Sequence, residues 1–242
     1  MTGEGFFQRR QAAAVLKHGV IRRYAPVFTT MTGSTSVDHR VVYLDGYAGR
    51  GGYDDGSPGS PLLAIESARE VARWDRDVEC IFIEADQANY TELQRRLRDA
   101  APSELRWHVR LGDVTNHLDE TLRLAQNTPL LAFLDPYGSA LGYDALVDKL
   151  LCRPTRAPTE VLLNLNIQVV QRWGGLLASR RLNAGQTEIL NRLDRFFGGD
   201  WWRNVFLSTR ADDSPGSAAR AAVAVVDEFR SRVHARTSVL SR

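Results

Sequence analysis

Four acidic residues follow short apolar segments that are predicted to be buried strands. They are Asp45, Glu84, Asp113 and Asp135. In an open parallel sheet, ligands bind at the carboxyl ends of the strands, near the point where the strand order reverses. The four carboxylates are therefore predicted to gather at one edge of a sheet and to form a polar ligand site there.

A glycine-rich loop follows the first of these acids, with the pattern Asp-x-x-x-Gly-x-Gly. Glycines let backbone N–H groups approach a ligand closely, which suits the amino-acid end of S-adenosylmethionine. A nicotinamide cofactor fits less well because the Gly-x-Gly-x-x-Gly spacing fails at Asp54, and no Gly-Lys-Ser or Gly-Lys-Thr supports a P-loop. A plain glycine-rich turn is the structural alternative. The predicted ligand-binding residues of this loop are Asp45, Gly46, Tyr47, Gly49 and Gly51.

The next two acids suit the other parts of the same molecule. Glu84 can accept both ribose hydroxyls, as strand-end acids do in dinucleotide-binding folds. Asp113 can accept the adenine amine while the N–H of Val114 bonds the ring. Each acid alone could be a solvated strand end, but the three in order match the methionine, ribose and adenine groups. S-adenosylmethionine is therefore the predicted cofactor.

The segment Asp135-Pro136-Tyr137-Gly138 supplies the catalytic candidates. Methyl transfer requires an in-line approach of the acceptor, so the protein mainly positions the acceptor and handles its proton. Asp135 can hold an amine, Pro136 can stiffen the turn and Tyr137 can stack on a ring. The structural alternative is a simple turn after a strand. Asn164 and Asn166 are further candidates for the same pocket.

Strands and helices alternate along the chain, which predicts an α/β fold with a Rossmann-like, doubly wound and mostly parallel sheet. Strands are predicted at residues 41–44, 80–83, 107–111, 130–134 and 161–165. Helices are predicted at residues 8–28, 62–73, 89–100, 118–125, 188–197 and 218–234. Two regions are expected: a cofactor-binding core over residues 1–172 that includes the N-terminal helix, and a helical insertion or tail over residues 173–242.

Several of these motifs together resemble the three-Cys-motif partner (TcmP) family. They are Tyr43-Leu44-Asp45-Gly46-Tyr47-Ala48-Gly49, Gly59-Ser60-Pro61-Leu62, Ile83-Glu84, Gly112-Asp113-Val114 and Phe133-Leu134-Asp135-Pro136-Tyr137-Gly138. The match covers residues 17–172. It implies a class I S-adenosylmethionine-dependent methyltransferase fold and a partnership with a three-Cys-motif protein. The chain departs from the family in Arg50 and Gly52, in an Asp54-Asp55 pair and in a short C-terminal part.

Class I methyltransferases usually close the sheet with two further strands, and none is predicted after residue 168. The native chain is therefore expected to continue past Arg242, or its tail is a variant insertion.

A nucleic-acid base amine is the expected acceptor. The Asp-Pro-Tyr-Gly turn is similar to the Asp-Pro-Phe-Gly of tRNA guanine N2-methyltransferases and, more distantly, to the Asp-Pro-Pro-Tyr of base amino-methyltransferases. Arginines near the site are candidates for phosphate contacts, although scattered solvated arginines would look the same. They are Arg22, Arg23, Arg50, Arg172, Arg180 and Arg181. A weakly active or inactive cofactor-binding partner of a three-Cys-motif protein and a small-molecule methyltransferase are the alternatives.

Composition restricts the other classes. Among 242 residues with a net charge of +2, there are two cysteines, Cys80 and Cys152. They lack companions at metal-ligand spacing, so no metal site is predicted. The apolar runs fall far short of the roughly 20 residues that a membrane span needs. Residues 1–10 lack the apolar run of a signal peptide. A cytoplasmic protein with reduced thiols and no membrane association is therefore expected.

Overall fold

The computed structural model describes residues 12–136, 141–179, 181–210 and 214–240. These residues divide into two compact units. The first contains the described residues up to Asp135 together with Pro154–Asn164. The second contains Pro136–Arg153 and the described residues from Leu165 onward.

A five-stranded sheet, parallel throughout, forms the centre of the first unit, with the strand order β3-β2-β1-β4-β5. The strands are β1 (Arg40–Asp45), β2 (Asp77–Glu84), β3 (Arg106–Leu111), β4 (Leu130–Leu134) and β5 (Thr159–Leu163). All five residues of β4 and the last five of β1 are buried. Apart from Asp45, these buried residues are apolar runs, which are typical of strands that are covered on both faces.

The strand order reverses between β1 and β4. The chain builds outward from β1 through β2 to β3 and then returns to the other side of β1 for β4 and β5. Asp45, the last residue of β1, pairs with Phe82 of β2 and with Phe133 of β4. The end of β1 therefore lies at the crevice where open α/β sheets bind their ligands.

Among the described residues, the first unit has four α-helices and a short 3-10 helix (Val37–His39). The α-helices are α1 (Ala12–Gly33), α2 (Ser60–Ala72), α3 (Gln87–Ala100) and α4 (Val114–Leu124). Residue types at the starts of three of them favour helix initiation. α2 carries Pro61 in its first turn, and the Asp86 and Asp113 side chains accept N–H groups at the starts of α3 and α4.

Apolar side chains of α1, α2 and α3 pack with one face of the sheet in a single core cluster. The buried residues of this cluster include Ile21, Phe28, Leu63, Ile65, Val71, Cys80, Phe82, Leu93, Leu97, Leu131 and Phe133. The buried Val114 and Leu118 of α4 are absent from this cluster, as expected if a crossover of the usual right-handed sense places α4 on the opposite face. Helices on both faces make the sheet doubly wound.

The second unit is helical where the structure describes it. It contains a π-helical segment (Ala145–Leu151), α5 (Ile167–Gly174), a short 3-10 helix (Gly175–Ala178), α6 (Ala184–Phe197), α7 (Trp201–Thr209) and α8 (Ser217–Leu240). Aromatic rings from α6, α7 and α8 form its core, with Phe197 within 6 Å of both Trp202 and Phe229, centroid to centroid. None of the described helices is long and apolar enough to cross a membrane.

The predicted α/β fold with a parallel sheet is confirmed, and all five predicted strands are present. The first helix continues to Gly33, past the predicted end at residue 28, while its predicted start at residue 8 lies outside the described residues. β5 spans Thr159–Leu163, earlier than the predicted residues 161–165. The π-helical segment, α5 and α7 were not predicted. No described residue beyond Asn164 belongs to a strand.

The methyltransferase class of the fold stays a prediction. The predicted division into a cofactor-binding core over residues 1–172 and a tail over residues 173–242 likewise stays a prediction.

A substitution at Gly174 can test how tightly the second unit is packed. A Cβ added to this residue would lie 2.5 Å from the ring of the buried Phe206, although the backbone at Gly174 is ordinary right-handed helix. We expect Gly174→Ala to lower the free energy of unfolding by about 1–3 kcal/mol through overpacking, measured by urea titration. The control is Gly19→Ala inside α1, where a Cβ would meet nothing within 4 Å. That change should raise the free energy by about 0.5–1 kcal/mol. Equal effects would contradict the packing argument.

Candidate functional site

Polar side chains gather at the carboxyl edge of the first unit's sheet, as the sequence predicted. Asp45 ends β1, Glu84 ends β2, Asp135 follows β4 and Asn164 follows β5. The N–H of Gly46 donates to the carbonyl of Phe133 at 3.0 Å and thereby ties the loop after β1 to β4. Acidic and amide groups therefore gather at the strand reversal.

Asp45 is fully buried, with 0% of the residue exposed. Its Oδ1 accepts the N–H of Tyr47 at 3.1 Å, while its Oδ2 has no hydrogen-bond partner among the residues that the structure describes. The pKa of Asp45 is raised to about 7, chiefly by burial and to a smaller extent by the charge of Asp135, while hydrogen bonds from Ser60 and from the Tyr47 N–H and the charge of Lys17 lower it. A buried carboxylate with an unsatisfied oxygen favours a ligand that brings a donor or a positive charge.

The carboxylate of Glu84 accepts hydrogen bonds from the backbone, one of them from the glycine loop. Its Oε2 accepts the N–H of Gly49 at 2.7 Å, and its Oε1 accepts the N–H of Asp86 at 2.7 Å. Gly49 adopts a positive φ of 62°, which a residue with a side chain rarely adopts. Each carboxylate oxygen offers two lone pairs, and Glu84 is only half-buried, so it can still accept further donors.

Gly46 leaves no room for a side chain. A Cβ at this position would lie 2.7 Å from the side chain of Leu134 and 3.1 Å from that of Val114. The loop after β1 can therefore pass closely over β4 and α4 only because residue 46 is glycine. Tyr47 follows it and is fixed through its N–H to Asp45.

The second part of the glycine loop folds onto itself. Gly52 and Pro58 form an antiparallel bridge, and the N–H of Gly59 donates to the carbonyl of Gly51 at 2.9 Å. A Cβ at Gly51 would lie 3.1 Å from Leu93 of α3. The structure thus gives Gly51 a role in packing against α3, and its contact with a cofactor stays a prediction.

Asp113 has a structural role as the N-cap residue of α4. Its Oδ1 accepts the N–H of Thr115 at 2.8 Å, which is an ordinary helix cap. The adjacent Val114 is buried and packs beside Gly46. The cap engages one of the two carboxylate oxygens of Asp113, and contacts of Asp113 and Val114 with an adenine ring stay predictions.

Both carboxylate oxygens of Asp135 are engaged. The ammonium of Lys17 forms an ion pair with Oδ2, and the amide of Asn164 donates to Oδ1 at 2.6 Å. The side chains of Lys17 and Asp135 are 16% and 20% exposed, so the pair is largely shielded from water. Pro136 follows directly and belongs to the second unit. Tyr137 and Gly138 lie outside the described residues, so the predicted role of Tyr137 stays a prediction.

Helix α1 contributes residues that the sequence prediction did not include. Besides Lys17, the buried His18 places its ring 5.9 Å from that of Tyr53, and the hydroxyl of Tyr24 donates to the carboxylate of Glu160. The sequence does contain a pattern that indicates a role for Lys17. It lies four residues before Ile21 and therefore on the apolar face of the helix. A lysine on a buried helix face is expected to form an ion pair with an acidic side chain, because a buried charge without a partner is unfavourable.

The three predicted arginines of the first unit do not form one cluster. Arg22 and Arg23 line a groove between α1 and α2, and Arg50 pairs with Asp54 inside the glycine loop. Arg172 and Arg181 belong to the second unit, and Arg180 lies outside the described residues. A phosphate-binding role for this set stays a prediction.

Comparison with known proteins adds no family assignment, since no family model matches the chain and no curated protein matches it. The resemblance to the three-Cys-motif partner family therefore stays a prediction. Within the described ranges, no group of three or more His, Cys, Asp or Glu side chains is placed to hold a metal ion.

The residues at this edge fit the polar groups of S-adenosylmethionine. The unsatisfied Oδ2 of Asp45 suits the positively charged amino group of an amino acid. Glu84, at the end of the neighbouring strand, suits a pair of ribose hydroxyls. The two acids end adjacent parallel strands, β1 and β2.

The raised pKa of Asp45 predicts a pH-dependent stability. The carboxyl titrates near 7 in the folded chain and near about 4 when unfolded. Between these values the folded state holds a proton that the unfolded state has lost, so the free energy of unfolding falls as the pH rises from about 4 to about 7. We expect Asp45→Asn to remove a fall on the order of 3 kcal/mol.

The measurement is urea unfolding of the wild type and the variant across this pH range. Asp99→Asn, at an exposed carboxylate of α3, is the control and should leave the pH profile unchanged. A wild-type profile that is parallel to that of Asp45→Asn would show that Asp45 titrates normally.

Proposed function

We propose that this chain is an S-adenosylmethionine-dependent methyltransferase, with a nucleic-acid base amine as its acceptor. The observation that carries the proposal is the buried, unsatisfied carboxylate oxygen of Asp45 at the strand reversal, beside Glu84 at the end of the next strand. A cytoplasmic setting belongs to the proposal and is supported by Cys80 and Cys152, which are free thiols.

The chain's own residues divide the work of holding the cofactor. In the proposal, Asp45 accepts the amino group of the methionine part, and Gly46 and Tyr47 pass beside it. Glu84 accepts the ribose hydroxyls while its bonds to Gly49 and Asp86 keep the carboxylate in place. Bound S-adenosylmethionine supplies an electrophilic methyl group.

Asp135 is the residue proposed to hold the acceptor. Lys17 and Asn164 each bond one of its oxygens, so the carboxylate has a fixed orientation. Each oxygen retains a lone pair that can accept an N–H of an exocyclic amine. Such a contact turns the nitrogen lone pair toward the methyl donor and gives the departing proton a nearby acceptor.

A second candidate function is a cofactor-binding module that works with a three-Cys-motif protein and has little or no turnover. The observation that favours it is the engagement of both Asp135 oxygens by groups of the chain itself. Cofactor binding without methyl transfer to any nucleic acid would distinguish this function from the first.

Cofactor binding is the first prediction of the proposal. We expect S-adenosylmethionine and S-adenosylhomocysteine to bind in a calorimetric titration. Glu84→Gln should weaken binding by about tenfold or more, because it exchanges one charged acceptor for an amide donor. Glu104→Gln is the control, since that acid is exposed and precedes β3. Absent binding, or equal affinity in both variants, would count against the site.

The affinity should also depend on pH. The ionised form of Asp45 is the one that attracts an amino group, and the pKa of Asp45 lies at about 7. Binding should therefore tighten as the pH rises through about 7, and Asp45→Asn should bind weakly at every pH. An unchanged affinity in Asp45→Asn would remove this residue from the site.

A variant of Asp135 can distinguish methyl transfer from cofactor binding. With tRNA and DNA pools as acceptors and a radiolabelled methyl donor, we expect Asp135→Asn to lower the transfer rate by about 100-fold or more. The calorimetric affinity for S-adenosylmethionine should change little, because the residue faces the acceptor. Transfer at the wild-type rate would exclude Asp135 from catalysis, whereas loss of cofactor binding would place it in the cofactor site.

A further inference from the structure

Helix α1 exposes a straight row of apolar side chains on the side that faces away from the sheet. The row is Leu16, Val20, Val27 and Met31, and we call it the α1 seam. These residues are 75%, 47%, 49% and 69% exposed. At about 100° per residue they fall within an arc of about 60°, on a line about 22 Å long. The buried residues Ile21, Ala25 and Phe28 occupy the other side of the helix.

The spacing of the α1 seam is the same from both ends. Its members are separated by four, then seven, then four residues. Two copies of the helix that run antiparallel about a twofold axis would therefore place Leu16 opposite Met31 and Val20 opposite Val27, twice over. A twofold contact requires a surface that is complementary to itself, and this spacing meets that requirement.

A cavity lies beside one end of the seam. It has a volume of about 480 Å³ and runs between α1 and α2, with Val27, Met31 and Trp74 among its lining residues. Trp74 is 45% exposed. In the antiparallel arrangement, Leu16 of the second copy lies opposite Met31 and therefore next to this cavity. An apolar anchor that enters a pocket is the usual centre of a stable protein contact.

The charges on this surface also complement one another. Arg23 lies midway along the seam and forms no ion pair with any described residue. Glu70 lines the same cavity from α2. Glu70 also bonds Arg73 of its own copy at 3.2 Å, and both of these side chains are partly exposed, so the carboxylate can accept a second donor. In the antiparallel register the two Arg23 side chains lie near the twofold axis, where each can pair with Glu70 of the other copy.

From these features we infer that the α1 seam is the contact surface of a homodimer in which two α1 helices pack antiparallel, with Leu16 of each copy at the α1/α2 cavity of the other. The inference is independent of the proposed function, because the seam lies on the opposite side of α1 from Ile21 and Phe28. It requires only the described surface and a second copy of this chain.

Sedimentation velocity of the full chain over a wide range of concentrations tests the dimer. We expect reversible dimerisation, and we expect Val27→Glu to raise the dissociation constant by about 100-fold, because two buried charges enter one contact. Val223→Glu is the matched control, since Val223 of α8 is 47% exposed and lies off the seam. A monomer at every concentration, or equal effects of the two substitutions, would overturn the proposal. Circular dichroism confirms that each variant is folded.

Cross-linking tests the antiparallel register separately. In a Cys152→Ser background, Leu16→Cys protein and Met31→Cys protein are treated with a short thiol cross-linker, alone and mixed. We expect covalent dimers in the mixture and few in either protein alone, because like positions lie about 22 Å apart in an antiparallel pair. Dimers of Leu16→Cys alone would indicate parallel helices and overturn the proposed arrangement.

Discussion

The central constraint on this structure is the convergence of carboxylates at one edge of a parallel sheet. Parallel strands end side by side, so acids that follow them repel one another unless each finds a partner. Backbone N–H groups engage Glu84, a helix cap engages Asp113, and Lys17 with Asn164 engages Asp135. Asp45 is fully buried and its Oδ2 has no hydrogen-bond partner among the described residues, so burial outweighs the groups that favour its ionised form and its pKa rises to about 7. The site is thus defined by the acid that the fold leaves unsatisfied.

The sequence predicted the elements with strong local signals. Four of the five strands are short apolar runs ended by a polar turn, whereas β3 alternates apolar with polar residues. Predicted helices between the first four strands account for the parallel arrangement of those strands. α5 and α7 were missed. α5 is eight residues long, and α7 begins at the adjacent Trp201 and Trp202, whose bulk conceals a helical period. The exact start of β5 was missed because its first residues, Thr159 and Glu160, are polar.

The acidic residues of the site could be predicted from the sequence, but the groups that bond to them could not. The acids lie at fixed points after strands, so local patterns locate them. The Lys17–Asp135 pair spans 118 residues of sequence, and no local pattern connects its members. No local pattern predicts the hydrogen bond between Gly49 and Glu84 either, because each residue by itself suits a contact with the ligand. Sequence reasoning located the donors and acceptors, and the structure shows that some of them satisfy each other.

Helix α1 links the two surfaces proposed here, because its opposite faces serve different purposes. One face buries Ile21 and Phe28 in the core and carries Lys17 to Asp135. The other face exposes Leu16 and Met31 to solvent. A helix that is held in the core by several buried side chains cannot rotate without losing those contacts. The position of the ammonium of Lys17 and the direction of the outer apolar row are therefore fixed together. A substitution on the outer face that leaves the helix folded should consequently leave the Lys17–Asp135 pair intact.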